Sequence, residues 1–269
     1  SRLPGGSAVA TELSWNGGTP APVGVLYPVS MERTVSFGGG GGGTPQPGPL
    51  MGARVTVYRA RTDANWRNAF ETGNPGFELT LRVQAPNGAQ TTYTFKDARA
   101  VEYRIEAGSD GGPMEVIELF APAASVDRER MGSAPGVSAP VAGGAPLGAS
   151  GSPGTLALAW NGTAPELSGL GVPPREARPV NPVSGLPTGP VVSDNIGVLS
   201  STLAGQTLWE AFRTGQSRPF EVRLLPQGSV VWTVNTAGLL MRWELRQADD
   251  GLPYEYYELT YRRPNGGGA

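Results

Sequence analysis

Phe77-Glu78-Leu79-Thr80-Leu81-Arg82-Val83 alternates apolar and polar residues without a break. Successive side chains of a strand point to opposite faces, so this stretch has one face for a core and one for water. Phe220-Glu221-Val222-Arg223-Leu224 repeats the pattern further along the chain. Val101, Tyr103 and Ile105 alternate with Glu102, Arg104 and Glu106, and Met241, Trp243 and Leu245 with Arg242, Glu244 and Arg246. The apolar set of each series is expected in a core. One dry and one wetted face is the mark of antiparallel sheet.

Working outward, Trp66, Ala69 and Phe70 stand at i, i+3 and i+4, which predicts one buried face of a short helix. Asp63 suits its N-cap, and Gly73 the position just past its end. Leu13–Trp15, Val29–Phe37, Val55–Tyr58, Glu115–Phe120 and Glu255–Tyr261 read as further strands. Pro86-Asn87-Gly88 and Asp110–Pro113 read as turns. Gly38 to Met51 and about 181–192 read as loops too long for simple hairpin turns.

The same order of elements occurs twice. Leu13-Ser14-Trp15-Asn16-Gly17 matches Leu158-Ala159-Trp160-Asn161-Gly162. Trp66 to Gly73 matches Leu208 to Gly215, and Asp110 to Glu115 matches Asp250 to Glu255. Three collinear matches at nearly constant offset point to a duplication. Between the copies, 19 of the 22 residues 132–153 are Gly, Ala, Ser or Pro, too few apolar groups to order a segment. The expected organisation is a first domain over 1–122, a linker over 123–153, a second domain over 154–264 and a tail over 265–269. The fold class is mainly β: two tandem antiparallel β-barrels, each with one short α-helix.

Composition supports ordered β structure. Gly (40) and Pro (26) make up about a quarter of the 269 residues, at the edge of low-complexity composition. Yet 39% of residues are apolar and the net charge is only −2, unlike disordered chains. The Gly and Pro excess concentrates in 38–49, 132–153 and 172–190. There is no His and no Cys, which excludes Ser-His-Asp and Cys-His catalysis, imidazole or thiolate metal sites and disulfides. Carboxylate hydrolysis stays open with 23 Asp and Glu. Twenty Arg against Lys96 alone suggests GC-rich coding, and no basic excess marks a nucleic-acid face. No stretch approaches 18 uninterrupted apolar residues. The first residues lack a signal-peptide pattern, and a start at Ser1 fits removal of an initiator Met.

These residues carry a pattern: Ser36-Phe37, a Gly-rich loop, a strand, a helix ending in Thr72-Gly73, a strand, then Tyr103-Arg104-Ile105 through Pro113-Met114-Glu115 to Leu119. It resembles the Hcp family of type VI secretion tube proteins and the related phage tail-tube proteins. The resemblance covers most of both halves; in the second, Tyr254 replaces Met114. It implies a structural, non-enzymatic subunit without cofactor or metal, whose rings stack into a hollow tube. A chain with two barrels implies three chains per ring and pseudo-sixfold symmetry, and somewhat favours a phage tail over a secretion tube. The implied partners are further copies of the chain, other tail or injection-machine proteins, and DNA or protein in transit through the lumen. The implied location is a virion tail assembled in the host cytoplasm, or else the bacterial cytoplasm or a secreted tube. The resemblance makes Gly38, Gly43, Pro45, Pro47 and Met51 candidates for ring stacking. The polar strand faces, with Glu78, Arg82, Glu102, Arg104, Glu106, Glu221, Arg223, Arg242, Glu244 and Arg246, are candidates for the lumen wall. Their mixed charge suits passage of cargo without tight binding.

Other readings compete. Asp110 and Asp250 sit in Asp-Gly turns and read as turn residues, not acids or metal ligands. Glu115 and Glu118, like Glu255 and Glu258, are three apart on a strand and face opposite sides, which suits solvated or interface glutamate better than a hydrolytic pair. Gly38–Gly43 lacks the Gly-Lys-Ser/Thr ending of a phosphate loop. The alternative of a tandem β-sandwich binding carbohydrate or protein rests on Trp232, Tyr256 and Tyr257 lining an open face.

Overall fold

The computed structural model describes residues 9–15, 18–38, 43–60, 63–73, 76–84, 90–108, 111–128, 154–162, 167–172, 176–177, 180–188, 192–193, 196–201, 206–226, 232–249, 251 and 253–262. The turn expected at Pro86-Asn87-Gly88, the residues Asp110 and Asp250, and the Gly-rich stretch 129–153 lie outside them. In chain order the elements are β1 (Val9–Trp15), β2 (Ala21–Pro22), β3 (Gly24–Phe37), β4 (Pro45–Leu50), β5 (Ala53–Ala60), α1 (Asn65–Thr72), β6 (Phe77–Gln84), β7 (Gln90–Ala107), β8 (Pro113–Ala121) and β9 (Ala123–Arg128). They continue as β10 (Gly154–Trp160), β11 (Leu167–Val172), β12 (Glu176–Ala177), β13 (Val192–Ser193), β14 (Ile196–Ser201), α2 (Gln206–Thr214), β15 (Arg218–Pro226), β16 (Trp232–Gln247) and β17 (Pro253–Tyr261). Among the described residues the chain is mainly antiparallel β with two short helices.

It forms two compact units. One comprises Ser1–Glu32, Met51–Val137 and Glu244–Tyr254; the other comprises Arg33–Leu50, Ser138–Trp243 and Glu255–Ala269. Arg33–Leu50 therefore groups with the second unit.

In the first unit the strand order is β3-β5-β8-β7-β6-β1-β2, with β9 also on β7. β7 is 18 residues long and serves two sheets. Its first part pairs with β6 and β9, and its second part, from Arg99, pairs with β8. The change of partner follows Asp97, a non-Gly residue at φ 52, and a second irregularity follows Ala100. Such bulges turn a strand from one sheet into the next. Leu79, Leu81 and Val83 of β6 are buried with Tyr93 and Phe95 of β7, as the alternation requires. β9 corrects the expected linker boundary. Its Ala124 and Val126 are half-buried in alternation against β7, so Ala123–Arg128 belongs to the sheet.

In the second unit β11, β14, β17 and β16 are neighbours in that order, β15 pairs with β16, and β10 with β15. β1 on β6 and β10 on β15 share a register: Trp15 opposes Phe77 and Leu13 opposes Leu79, while Trp160 opposes Phe220 and Leu158 opposes Val222. Its core contains Trp160, Trp209, Phe212, Phe220, Trp243 and Tyr257.

Within the loop expected from Gly38 to Met51, Pro45–Leu50 form a strand. β4 folds back on β3, with Phe37 opposite Pro45 and Val35 opposite Pro47. Proline signals loop because it lacks an N–H, but an edge strand tolerates it. Pro45, Pro47 and Pro49 occupy alternate positions, so they remove donors from one side of β4 only.

Candidate assembly surfaces

Each helix caps a core with its aromatic face, and the two faces differ in what covers them. The N-cap of α1 is Ala64, not the expected Asp63, whose Oδ1 instead accepts from the Asn65 N–H at 2.9 Å just ahead of the helix; Gly73 closes the helix at φ 64. Trp66 and Ala69 are buried, but Phe70 is 38% exposed, which corrects its assignment to the core. Its ring stacks on Tyr103 of β7 at 6.3 Å between centroids. Val101 and Ile105, also expected inside, are 47% and 48% exposed. Beyond the bulge after Ala100, Tyr103 and Ile105 pair opposite buried Ile117 and Glu115 of β8, and the outer side of Val101 and Ile105 is open.

Under this exposed face lies a polar knot. Tyr103 Oη donates to Glu115 Oε1 at 3.0 Å, and Arg59 Nε donates to Glu115 Oε2 at 3.2 Å. Arg59 also reaches Asp63 at 2.8 Å and lies over the Trp66 ring at 4.2 Å. Glu115 is fully buried, as is Glu255, whose Oε2 accepts from Tyr257 Oη at 2.6 Å. Solvated or interface glutamate is therefore the wrong description of both. A buried carboxylate needs this satisfaction, because leaving it unpaired is costly.

In the second unit the equivalent face is covered. Phe212 and Trp243, which match Phe70 and Tyr103, are both fully buried. Trp209 packs edge-on to Trp243 at 5.3 Å. Arg33 lies over the Phe212 ring at 5.6 Å and donates to the carbonyls of Phe212 and, at 3.1 Å, Arg213. These carbonyls end α2, where the Phe212 carbonyl also accepts from the Gly215 cap N–H at 3.3 Å, so a cation there is favourable. A Cβ on Gly215 would collide with Arg33 and meet Pro47 at 3.0 Å; one on Gly73 would meet nothing within 4 Å. Arg262 over Phe37, at 4.5 Å, fastens the same β3–β4 hairpin a second time. Arg33 was missed in the sequence. The signal was there: it stands between Met31 and Val35 on the inward face of the strand.

The candidate stacking residues fall on this hairpin and its flanks. Gly38 and Gly43 stand at its open end, with Gly43 close against Gly38. Pro45 is buried, Pro47 is exposed beside Gly215, and Met51 is 43% exposed.

The candidate lumen residues divide into separate groups. Glu78 is exposed on β6, and Arg82 pairs with Glu12 of β1 at 2.7 Å. Arg104 pairs with Glu102 at 2.9 Å and Glu106 at 2.6 Å, on the part of β7 that belongs to the other sheet. In the other copy Arg242 faces Glu258 at 3.6 Å, and Glu244 is buried and paired with Arg246 at 2.6 Å. Glu221 is half-buried; the side chain of Arg223 lies outside the described residues. Sequence reasoning did not foresee the partners Glu12 and Glu258. Exposed pairs of this kind contribute about 0–1 kcal/mol each.

Tyr256 and Tyr257 are buried, so they line no open binding face; the side chain of Trp232 lies outside the described residues. Among the described residues, no group of three or more Asp and Glu could hold a metal ion. Nor is any helix there long and apolar enough to cross a membrane.

Solved structures with a similar fold include components of phage tails and injection systems. The anti-feeding prophage baseplate matches over 47% of this chain and 96% of its own, with 12% identity and a TM-score of 0.35. Hcp1 from Salmonella typhimurium matches over 45% of this chain and 87% of its own, at 17% identity and TM-score 0.31. The SPP1 tail tube matches over 46% and 78%, at 17% identity and TM-score 0.34. The likeness is to Hcp-like and tail-tube proteins. No family model and no curated protein matches the sequence.

Proposed function

We propose that the chain is a structural subunit of a hollow tube, of the phage-tail or injection type, built from stacked rings. One observation carries this reading. A single chain holds two β units, each with a helix over its core, whose opening strands share a residue-for-residue register. A duplicated chain supplies two positions of a ring, so three copies give six quasi-equivalent positions, and head-to-tail contacts that repeat and close make such a ring. The helix face of the first unit is left partly uncovered, as an assembling subunit requires.

In this reading the 1–122 and 154–264 copies are the two ring positions, and the Gly-rich segment joins them. The β3–β4 hairpin end, around Gly38 and Gly43, meets the next ring. The paired Arg and Glu rows line the channel and pass DNA or protein without holding it. The partners are further copies and other tail or injection proteins, in a virion tail or an extracellular tube.

Negative-stain microscopy of concentrated protein tests this. Rings or tubes with a central channel are expected, with native mass spectrometry giving three chains per ring. A protein that stays a single chain at high concentration overturns the reading.

A further inference from the structure

One strand of each copy carries the same polar row with its charges reversed. At the offset of 140 that relates Asp110–Glu115 to Asp250–Glu255, Glu102, Arg104 and Glu106 of β7 fall on Arg242, Glu244 and Arg246 of β16. Between them, Tyr103 falls on Trp243 and Ile105 on Leu245, so the alternation is kept. Cross-strand geometry supports the match. Glu102 stands directly opposite Glu118 of β8, and the residues 140 further on, Arg242 and Glu258, form an ion pair at 3.6 Å. The other candidate row does not reverse: Phe77 falls on Phe220 and Glu78 on Glu221, with the same sign.

Each row is braced within its own copy. Arg104 bridges Glu102 and Glu106, and Glu244 takes the mirrored place against Arg246. Glu244 is buried, so the ends of the rows set the outward field. Those ends are the half-exposed acids Glu102 and Glu106 in the first copy, and the partly exposed bases Arg242 and Arg246 in the second. Glu118 and Glu258, alike in both copies, are less exposed, and each is answered by an arginine of its own copy, Arg54 or Arg242.

A ring of six identical barrels puts six like charges at every level of its channel. Low-dielectric walls focus such a belt into a strong potential. Double-stranded DNA carries one charge per about 1.7 Å of its axis, so a belt of one sign would hold it or repel it at each ring. Two diverged copies escape this constraint, because matched residues occupy the same level of a pseudo-symmetric ring.

We propose that the β7 and β16 rows face the channel at matched levels, so that acid and base alternate around each level and the wall is neutral toward a polyanion in transit. Glu102 then alternates with Arg242, Arg104 with Glu244, and Glu106 with Arg246. This rests on the tube reading. It names which polar row faces the cargo, and the cargo's class: double-stranded nucleic acid, whose uniform charge is what makes level-by-level cancellation matter.

Glu102→Arg combined with Glu106→Arg tests this in the full chain, because it makes two levels wholly basic. Short double-stranded DNA is mixed at low salt with wild-type or variant tubes and pelleted with them. The variant is expected to pellet about tenfold more DNA than the wild type, with the excess lost at about 1 M salt. Glu71→Arg combined with Glu210→Arg adds the same charge on the surfaces of α1 and α2, and should bring down little of that excess. Equal retention by the two variants, retention by neither, or strong retention by the wild type overturns the neutral wall and leaves the tube reading standing. A row variant that assembles only at high salt supports the proposal, since screening relieves the wholly basic levels. Should it not assemble at any salt, the milder Glu102→Gln with Glu106→Gln decides: retention above wild type supports the neutral wall, and retention equal to it overturns it. Wild-type protein that forms no tubes overturns the tube reading and the neutral wall together.

Discussion

The two helix faces have the same sequence pattern and opposite surroundings. Phe212 is sealed under Arg33, whereas Phe70, at the matching position, is 38% exposed. The first unit holds α1 in place by a buried polar knot around Glu115, and the second by stacked aromatic rings around Trp209. The lesson is that helical spacing identifies which residues share a face. It does not say how far round the helix the core extends, because that depends on what another segment lays over it.

The largest expected effect contrasts the two phenylalanines. Phe212→Ala should cost about 3–5 kcal/mol, as for a large buried aromatic. Phe70→Ala in the unassembled chain should cost about 1 kcal/mol or less. Urea unfolding of both variants, followed by tryptophan fluorescence, decides it; equal losses break the contrast.

Next comes the polar knot. Glu115→Ala removes the acceptor of both Arg59 and Tyr103 and leaves a mostly buried guanidinium, for an expected loss of about 2–4 kcal/mol. Its counterpart Tyr257→Phe strips one hydrogen bond from buried Glu255 and should cost about 1–3 kcal/mol. If Glu115→Ala proves neutral in the same measurement, the knot does not fasten α1.

The glycines sharpen the comparison. Gly73 and Gly215 both take φ near +65°, so alanine at either should cost about 1 kcal/mol in backbone strain. Gly215→Ala must also displace Arg33 and press on Pro47, and should lose clearly more than Gly73→Ala. Identical melting temperatures would mean that the hairpin yields freely. The smallest effect is at the surface of α1. Arg67 and Glu71 pair at 2.8 Å with both side chains more than half exposed, and Glu71→Gln should leave the melting temperature unchanged.

Much of the fold was legible in the sequence. The Phe77–Val83 alternation fixed β6, the Trp66 spacing and Gly73 fixed α1, and the paired motifs anticipated β10 and α2. The misreadings have physical causes. Alternation through Val101–Ile105 predicted burial; Tyr103 and Ile105 do stand opposite buried Ile117 and Glu115, but alternation does not tell whether another segment covers that face. Glu115 looked solvated because its partners Arg59 and Tyr103 lie 56 and 12 residues away. β4 was hidden by the very prolines that make it an edge.

Those prolines have a consequence for how the chain meets its neighbours. Proline at 45, 47 and 49 leaves β4 able to form a ladder with β3 and unable to donate from its other side. A concentrated chain would otherwise offer a bare strand to every neighbour it met. The hairpin instead ends the sheet like a selvedge on cloth, closed to strand-by-strand addition along that edge.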